Sequence, residues 1–408
     1  MTESEFVSCC AEMGGRVYIA GGWVRDSMRG VSPHDKDYVV CGIEERDFVA
    51  CFPNAKKVGK SFPVFLVIVD GEKREVAFAR KERKSGTGYH GFAVDFDKNV
   101  TIEEDLFRRD TTMNAIAVAL PSGDVIDPYG GRRDIEGGVI RPVSEHFIED
   151  PVRALRAARQ AAELKFRLLP ETIGAMRACA DELKNEPSER IFGEMNRAMG
   201  AERPSIFFRA LMAADLLRVT FPELYELIGK TQPIDFHPEG DAFEHSMLVL
   251  DVVAKLTDSK MARFAALTHD IGKGTTPMDM LPHHYGHEQR GLEVIERWNE
   301  RMTLPRNYLA AAKFVIKEHM RTPWMKKPSK QVRLLLDIEK SPLAAKEYNA
   351  VIFADSHGLP PYLARAEEII PRLKKVTGKE APAELKGKKI GDWILSQQIK
   401  IFMSMMKE

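Results

Sequence analysis

The pattern of hydrophobic and polar positions changes at about residue 150. Before that point, short apolar runs alternate with turn residues, and these runs are RVYIA (16–20), DYVVCG (37–42), FPVFLVIV (62–69) and EVAFA (75–79). Short runs rich in Val, Ile and aromatic residues predict strands. From Pro151 onward, apolar residues recur at helical spacing and strand-like runs nearly vanish. The pattern predicts an α+β chain, with a mixed sheet first and an all-helical remainder.

Breaks in this pattern lie near residues 140, 230 and 335. They predict four domains, at 1–140, 141–230, 231–335 and 336–408, in a chain of 408 residues. The end of the chain is basic, with nine Lys or Arg against four Asp or Glu from residue 369 to 408.

Composition narrows the class of protein. The chain is 44% hydrophobic and 29% charged, which is typical of a globular protein, and it has no apolar run of the ~20 residues that a membrane helix needs. MTESEFVSCC at the start does not resemble a signal peptide.

Five cysteines without C-x-x-C spacing favour a reducing cytoplasm. The net charge is zero, so a nucleic acid would have to be attracted by local basic patches. The sequence leaves the oligomeric state open.

Two aspartates follow a glycine pair in GGWVRDSMRGVSPHDKDYVV (21–40). Because residues two apart on a strand face the same side, Asp35 and Asp37 are predicted to lie side by side. Adjacent carboxylates repel unless a cation neutralises them, and Mg²⁺ binds one or two carboxylates together with substrate phosphates. The alternative is a surface turn with solvated aspartates.

The glycine pair itself precedes a predicted helix. Gly21 and Gly22 allow backbone N–H groups to approach a phosphate closely at the start of that helix. Arg25 lies one turn further on and adds a charged donor to a triphosphate.

Further motifs follow in a fixed order: RKERKSGTGYHGF (80–92), DLFRRDTTMNAIA (105–117) and EDPVRALRAAR (149–159). With them, nearly the whole chain resembles the class II nucleotidyltransferases, which comprise the tRNA nucleotidyltransferases (CCA-adding enzymes) and the bacterial poly(A) polymerases. The resemblance implies a nucleotidyltransferase catalytic head (1–140), a helical neck with a nucleotide-selecting helix (141–230), an HD-type metal-binding domain (231–335) and a basic helical tail (336–408).

The activity that the resemblance implies is nucleotidyl transfer. The terminal hydroxyl of a tRNA attacks the α-phosphate of CTP or ATP, and pyrophosphate leaves. Asp35 and Asp37 would be catalytic ligands of Mg²⁺, and Glu75 is left open as a third carboxylate. The nucleotide would be bound by Gly22, Arg25, Arg109, Asp150, Arg153 and Arg156. For Asp110 we favour a structural ion pair, with Arg109 as its partner.

EDPVRALRAAR suggests how a base could be selected without a template. A carboxylate at Asp150 accepts from the exocyclic amine of C or A, and a guanidinium at Arg153 donates to the neighbouring ring acceptor. U and G present a carbonyl to the carboxylate and are repelled. The alternative is that Asp150 only caps the helix that begins near Pro151, with its arginines solvated.

The choice between CCA addition and poly(A) synthesis depends on weaker signals. Poly(A) polymerases of this branch tend to carry two basic residues after the glycine, whereas GKSFPVF (59–65) has Ser61 in the second position. The loop RKERKSGTGYHGF (80–92) resembles the flexible loop of complete CCA-adding enzymes. CCA addition is therefore favoured, and poly(A) polymerase stays open.

A second metal site is predicted from HPEGDAFEHSM (237–247) and LTHDIGKG (267–274). His245, His269 and Asp270 match the order of ligands in HD-domain phosphohydrolases, a mixed N/O set that suits a transition metal or Mg²⁺. Near the third segment, HHYGHEQ (283–289), His284 and His287 are further candidates for a phosphate or metal contact.

One position departs from that pattern. Met320 stands where related two-activity enzymes have an Asp, and a thioether replaces a hard ligand poorly. One distal ligand is therefore expected to be missing, unless Asp355 supplies it. Two alternatives stay open, an HD fold without turnover and an HD phosphohydrolase whose head only binds RNA.

A tRNA partner would need a basic surface. The stretch 317–333 has six Lys or Arg against one Glu, and the tail is lysine-rich. Phosphate contacts carry affinity without sequence information, and A-form RNA is recognised largely by shape, which suits an enzyme that accepts every tRNA. A merely solvated basic surface is the alternative.

Overall fold

The computed structural model describes residues 1–58, 64–84, 92–95, 98–235 and 237–407, with only the backbone for 81–84 and 92–95. Ser61 and most of the loop RKERKSGTGYHGF lie outside the described residues, so the predictions made from them stay predictions. Contacts divide the chain into two compact units, residues 1–194 with 206–220, and residues 195–205 with 221–408.

The described residues form the following strands: β1 Arg16–Ala20, β2 Tyr38–Cys41, β3 Lys56–Val58, β4 Val64–Val69, β5 Glu72–Phe78, β6 Lys81–Lys84, β7 Phe92–Asp95, β8 Ala117–Leu120, β9 Val125–Ile126, β10 Val139–Ile140 and β11 Arg167–Leu168. All of them belong to the first unit. The strand-like runs of the sequence are thus confirmed.

The helices of the first half are α1 Glu3–Glu12, α2 Gly22–Met28, α3 Glu45–Cys51, α4 Ile102–Phe107, α5 Gly131–Glu136, α6 Val152–Leu164, α7 Pro170–Ala178, α8 Ala180–Leu183, α9 Ser188–Ala198, α10 Ser205–Ala213 and α11 Leu217–Thr220. Those of the second half are α12 Pro222–Tyr225, α13 Ala242–Leu256, α14 Lys260–Thr268, α15 His287–Met302, α16 Arg306–Glu318, α17 Pro328–Lys340, α18 Ala345–Ser356, α19 Pro361–Ala364, α20 Ala366–Lys374 and α21 Lys388–Met405. Short 3₁₀ turns lie at Thr112–Asn114, Glu145–Glu149, Ile271–Thr275, Met278–Met280 and Gly378–Glu380.

The head of the first unit is a seven-stranded mixed sheet in the order β3-β4-β5-β2-β1-β8-β9. β2 and β5 are parallel, with Tyr38 opposite Val76, and the other neighbours in the sheet are antiparallel. The central strands are fully covered: β2 is buried at every position and β1 at all but its first. Such near-continuous apolar runs are typical of strands buried on both faces.

Capping residues fix the ends of several helices. Thr2 with Glu5 and Thr101 with Glu104 form capping boxes at the starts of α1 and α4. In the second unit, the Asp241 side chain accepts from the backbone N–H groups of the first turn of α13. This cap fixes the start of α13, the helix that carries His245.

The second unit is all-helical in the residues described. One hydrophobic cluster of buried residues runs from Val249 on α13 to Met405 on α21. Residues on both sides of position 335 therefore share a core, and the division into four domains stays a prediction. No helix in the described part of the chain is long and apolar enough to cross a membrane.

The α+β fold class is confirmed, with a mixed-sheet head followed by a helical remainder.

Candidate active sites

The two aspartates of the D-x-D motif lie immediately before β2, not on it. Asp35 adopts a left-handed backbone conformation, with φ of +48°, which Asp tolerates better than most residues. The strand geometry predicted for the pair is therefore wrong, although Asp37 is the last residue before β2 and its carbonyl accepts from the backbone N–H of Ala20 at 3.4 Å. Both side chains are exposed.

Glu75 lies next to Asp37 across the sheet. Because β2 and β5 are parallel with Tyr38 opposite Val76, the residues that precede these two are neighbours. Partial desolvation by the surrounding protein, followed by the negative charges of Glu75 and Asp35, raises the pKa of Asp37 to about 6. Asp37 thus lies near two further carboxyl groups whose charge opposes its ionisation, and such a group fits a hard divalent cation such as Mg²⁺.

Gly21 adopts a conformation that few other residues could take. Its φ is +86°, and a Cβ atom added there would lie 2.9 Å from Nη1 of Arg109. The backbone angle therefore favours glycine, and the end of the arginine side chain lies close against it. Gly22 begins α2, with Arg25 one turn later.

Arg25 and Arg109 converge on Asn114. Arg25 Nη1 donates to Asn114 Oδ1 at 2.9 Å, and Arg109 Nη1 donates to the Asn114 carbonyl at 3.3 Å. Each arginine also has a carboxylate partner, Asp26 for Arg25 at 2.8 Å and Asp105 for Arg109 at 3.2 Å. The structure thus holds two of the predicted nucleotide-binding arginines beside the glycine pair, Arg109 near Gly21 and Arg25 near Gly22.

Asp110 is the centre of a buried network. Its carboxylate accepts from Arg156 Nε at 2.8 Å, Asn114 Nδ2 at 3.1 Å, Gln160 Nε2 at 3.1 Å and the Thr111 N–H at 2.8 Å. Burial alone would raise the pKa of Asp110, but Arg156 and these donors outweigh it and hold the pKa below its usual range. The ion pair predicted for Asp110 is therefore present, but its partner is Arg156 and not Arg109.

Asp150 and Arg153 lie at the start of α6, as their spacing predicts. Asp150 Oδ1 accepts from the Val152 N–H at 3.2 Å, which is the capping contact. Its two oxygens also accept from Nη2 of Arg190, at 3.2 and 3.1 Å. Arg153 is buried, and its Nη1 donates to the carbonyl of His146 at 2.5 Å. The selecting role of Asp150 and Arg153 stays a prediction.

The second unit gathers His245, His269 and Asp270, the three residues predicted for the HD site. α14 ends at Thr268, so His269 and Asp270 follow directly at its carboxyl end, and His245 comes from the second turn of α13. His269 Nε2 lies 3.3 Å from His245 Nε2 and 3.2 Å from Asp270 Oδ2. All three side chains are buried.

Asp355 on α18 joins this group. Its Oδ1 lies 3.2 Å from His245 Nε2 and 3.4 Å from His269 Nε2. Met320, in contrast, is about half exposed and lies one residue beyond His319. The ligand expected to be missing because of Met320 is thus matched by a carboxylate 35 residues further along the chain.

Hydrogen bonds to Nδ1 of His245 and of His269 determine which ring nitrogen faces the cluster. His245 Nδ1 lies 2.6 Å from Glu239 Oε1, and His269 Nδ1 lies 2.7 Å from the Ala266 carbonyl. Since these oxygens only accept, each Nδ1 carries a proton, and Nε2 is the nitrogen that faces the cluster and that would bind a metal once the ring gives up its second proton. This arrangement is typical of histidines that bind a metal. Two imidazoles and two carboxylates suit a divalent transition metal.

The charges in this cluster reinforce one another. Burial lowers the pKa of His269, but Asp270 and Asp355 outweigh it and raise the pKa to about 10. The pKa values of Asp270 and Asp355 lie well below their usual range, because His269 and neighbouring donors overcome the effect of burial. The two carboxylates are thus ionised and favour a cation between them.

His284 is not part of this cluster. Its Nδ1 is bonded to the Thr276 hydroxyl at 2.9 Å, and its Nε2 to the Thr231 carbonyl at 3.0 Å. Burial lowers the pKa of His284 to about 4. Both of its nitrogens are occupied by protein, so it holds the loop in place and is free for neither phosphate nor metal.

Three side chains of these sites were not singled out by the sequence analysis, although Asn114 and Glu239 lie inside motifs that it quotes. Asn114 links the two arginines of the head, Arg190 reaches Asp150 from 40 residues along the chain, and Glu239 orients His245 from a loop. Each makes a contact that depends on chain folding, which spacing along the sequence does not reveal.

Comparison with known proteins agrees with this architecture. Three family models match: the Poly A polymerase head domain at residues 17–141, the Probable RNA and SrmB- binding site of polymerase A at residues 165–227, and the HD domain at residues 242–354. The chain is similar to the Multifunctional CCA protein of Xanthomonas campestris pv. campestris (strain B100), with 46% identity over 75% of each chain. It is also similar to the Multifunctional CCA protein of Mannheimia succiniciproducens, with 40% identity over 84% of each.

Solved structures share the fold. The Bacillus stearothermophilus CCA-adding enzyme in complex with CTP is 24% identical, with a TM-score of 0.68 over 98% of this chain and 91% of that one. The Thermotoga maritima CCA-adding enzyme complexed with tRNA is 20% identical, with a TM-score of 0.61 over 97% and 89% of the two chains.

The head, its carboxylates and the histidine cluster define a nucleotidyltransferase that carries an HD domain on the same chain. More particularly, the chain belongs to the family of the multifunctional CCA proteins, which confirms the resemblance found in its motifs.

Proposed function

We propose that this protein adds and repairs the 3′-terminal CCA of tRNA, taking CTP and ATP and releasing pyrophosphate. Besides membership of the family, the observation that carries the proposal is the meeting of Asp35, Asp37 and Glu75 at the start of β2. These carboxylates would hold Mg²⁺, which neutralises phosphate charge and activates the attacking hydroxyl.

The chain's own residues position the reactants. Arg25 and Arg109, held by Asn114, would bind the triphosphate beside Gly22. The 3′-hydroxyl oxygen forms a bond to the α-phosphorus, the bond to the β-phosphate breaks, and the hydroxyl proton passes to water. Such a reaction depends mainly on positioning and charge stabilisation.

Base selection is proposed for the start of α6. Asp150 and Arg153 would face the Watson–Crick edge of C or A, and Arg156, paired with Asp110, would support the nucleotide from the next turn. We also propose a cytoplasmic location, because tRNA, CTP and ATP are found there and the five cysteines are unpaired.

Primer extension tests the proposal and its rival. The substrate is a tRNA transcript without its last three nucleotides, with each NTP alone and with CTP plus ATP. Growth by two with CTP, then by one with ATP, and then a stop supports CCA addition. A long ladder with ATP alone would identify a poly(A) polymerase, and no extension with Mg²⁺ would contradict both.

A second activity is supported by the buried cluster of His245, His269, Asp270 and Asp355. We propose that it holds a divalent metal and hydrolyses phosphoester or cyclic-phosphate ends, since a bound metal generates a hydroxide nucleophile and polarises phosphate. Release of phosphate from a 3′-phosphorylated RNA end, with Ni²⁺, Mn²⁺ or Mg²⁺ added in turn, measures it. Loss of that release in Asp355→Asn, with CCA addition retained, is the expected result.

A further inference from the structure

Lys36, the middle residue of the D-x-D motif, is held by the first helix of the chain. Its ammonium group pairs with the carboxylate of Glu3 on α1, and in the described part of the chain no other carboxylate pairs with it. The lysine side chain is only 20% exposed. Its ammonium lies 5.3 Å from the centre of the Trp23 ring and 5.8 Å from that of the Tyr38 ring. Attraction to the two rings adds to the ion pair.

Glu3 is fixed by contacts that do not involve Lys36. The hydroxyl of Tyr38, on β2, donates to the Glu3 carboxylate at 2.6 Å. The backbone N–H of Glu3 donates to Oδ1 of Asp70, in the turn between β4 and β5, at 3.0 Å. One helical turn further on, the ring of Phe6 packs against that of Tyr38, with their centres 5.3 Å apart. The helix therefore presents the carboxylate to Lys36 in a defined position.

The Glu3 side chain is ionised at neutral pH. Partial burial would raise the pKa of Glu3, but hydrogen bonds from Lys36 and Tyr38 outweigh it and lower the pKa. The contact with Lys36 is thus a charge-assisted hydrogen bond. Since both side chains are mostly shielded from water, it is stronger than an ion pair on an open surface.

The flexible side chain of Lys36 has two other carboxylates within reach along the chain. Its immediate neighbours are Asp35 and Asp37, and both of these are exposed. A lysine ammonium is a compact charge on a four-carbon stem, so it can turn towards them when no other partner holds it. An ammonium bound to these carboxylates would compete with a divalent cation for the same oxygens.

We propose that Glu3 is a positioning residue of the transferase site, which holds the Lys36 ammonium away from Asp35 and Asp37 and leaves both carboxylates free to bind Mg²⁺. The inference rests on the proposed transfer of nucleotides and adds a residue of α1 to it. Glu3 contacts neither the metal nor the nucleotide in this role, because it acts through Lys36.

The test compares five forms of the full chain: the unmodified protein, Glu3→Gln, Lys36→Met, the double variant, and Glu12→Gln as a matched control. Glu12 is an exposed carboxylate at the other end of α1. Incorporation of CTP into a tRNA transcript, measured over a range of Mg²⁺ concentrations, gives kcat and the half-saturating Mg²⁺ concentration. Isothermal titration calorimetry of CTP at limiting and at saturating Mg²⁺ is a readout without turnover. Chemical denaturation shows that each variant is folded.

Glu3→Gln should raise the half-saturating Mg²⁺ concentration roughly tenfold, the size of effect expected from one charge-assisted hydrogen bond. It should leave kcat at saturating Mg²⁺ nearly unchanged, because excess metal displaces the ammonium. CTP binding should weaken at limiting Mg²⁺ only. Adding Lys36→Met should return the Mg²⁺ requirement to within about twofold of the unmodified protein, since the competing charge is gone. Lys36→Met alone and Glu12→Gln should change little.

An unchanged Mg²⁺ requirement in Glu3→Gln would overturn the inference. So would a double variant that needs as much Mg²⁺ as Glu3→Gln, because Glu3 would then support the fold and not act through Lys36. If the unmodified protein incorporates no CTP, the proposed transferase activity is wrong by itself. The calorimetric comparison of the same variants then still decides whether Glu3 keeps the carboxylates free for Mg²⁺.

Discussion

At the scale of single residues, a few side chains of the head act by holding other side chains in position. Asp110 shows this most clearly, because it is buried and collects four donors, among them Arg156 and Asn114. Asn114 in turn receives Arg25. Asp110 is thus connected to two proposed nucleotide contacts without itself touching a nucleotide.

Asp110→Asn should therefore lower the free energy of unfolding by about 2 kcal/mol, because a charged acceptor of several buried donors is lost. Chemical denaturation of the variant measures this loss. Asp124→Asn, on an exposed turn of the same unit, is the matched control and should change little.

Asp110 should also make the free energy of unfolding depend on pH. The pKa of Asp110 is held below its usual range in the folded protein, so its contribution is present above the unfolded pKa of about 4 and is lost as pH falls. The difference in unfolding free energy between the two proteins should shrink below about pH 4. A difference that stays constant from pH 7 to pH 3 would contradict this account.

Arg190 is expected to act as a positioning residue for base selection. It contacts both oxygens of Asp150 and also pairs with Glu186, which fixes the carboxylate in one orientation. Arg190→Met should reduce discrimination against UTP by about tenfold, equivalent to about 1.4 kcal/mol, with a smaller effect on CTP use.

Single-nucleotide incorporation with CTP and with UTP measures this ratio. Arg218→Met, at a surface pair with Asp215 in the same unit, is the control. If both arginine variants lower CTP and UTP use equally, Arg190 supports the fold and not the selection.

At the scale of elements, the start of α13 decides where His245 lies. The Asp241 side chain accepts from the N–H groups of Phe243 and Glu244, at 2.9 and 3.2 Å, and from that of Gly229 at 2.6 Å. The cap therefore joins the helix to the preceding loop one turn before His245.

Asp241→Ala should lower the unfolding free energy by about 1 kcal/mol. It should also weaken metal binding by the HD cluster, because His245 shifts with its helix. Differential scanning calorimetry and a Ni²⁺ titration measure the two effects. Asp279→Ala, at an exposed residue in a 3₁₀ turn, should leave both unchanged.

At the scale of the whole molecule, the two sites belong to different units. The carboxylates of the head lie in the unit of residues 1–194, and the histidine cluster lies in the unit of residues 221–408. Each unit is internally packed, so we expect the chemistry of each site to depend on side chains of its own unit.

Crossed variants should show this independence. Asp37→Asn should reduce CCA addition by roughly 10²–10³-fold through loss of charge stabilisation, and leave phosphate release from RNA ends unchanged. Asp270→Asn should do the reverse. A loss of both activities in either variant, with unaltered circular dichroism, would show that the sites are coupled.

The sequence by itself determined the fold class, the family and the local motifs. Hydrophobic periodicity depends on neighbours a few residues apart, and motifs such as D-x-D or His-Asp are contiguous, so both are visible in one dimension. The sequence therefore predicted correctly the strands of the head, and it predicted correctly that His245, His269 and Asp270 lie together.

Only the tertiary structure decided which distant residues complete the sites. Asp355 reaches the histidines from α18, Arg190 reaches Asp150 from α9, and Arg156 replaces Arg109 as the partner of Asp110. The backbone of Asp35 departs from strand geometry because the strand begins only at Tyr38. These outcomes depend on how helices pack and where strands pair, and such contacts join residues whose separation along the chain carries no signal.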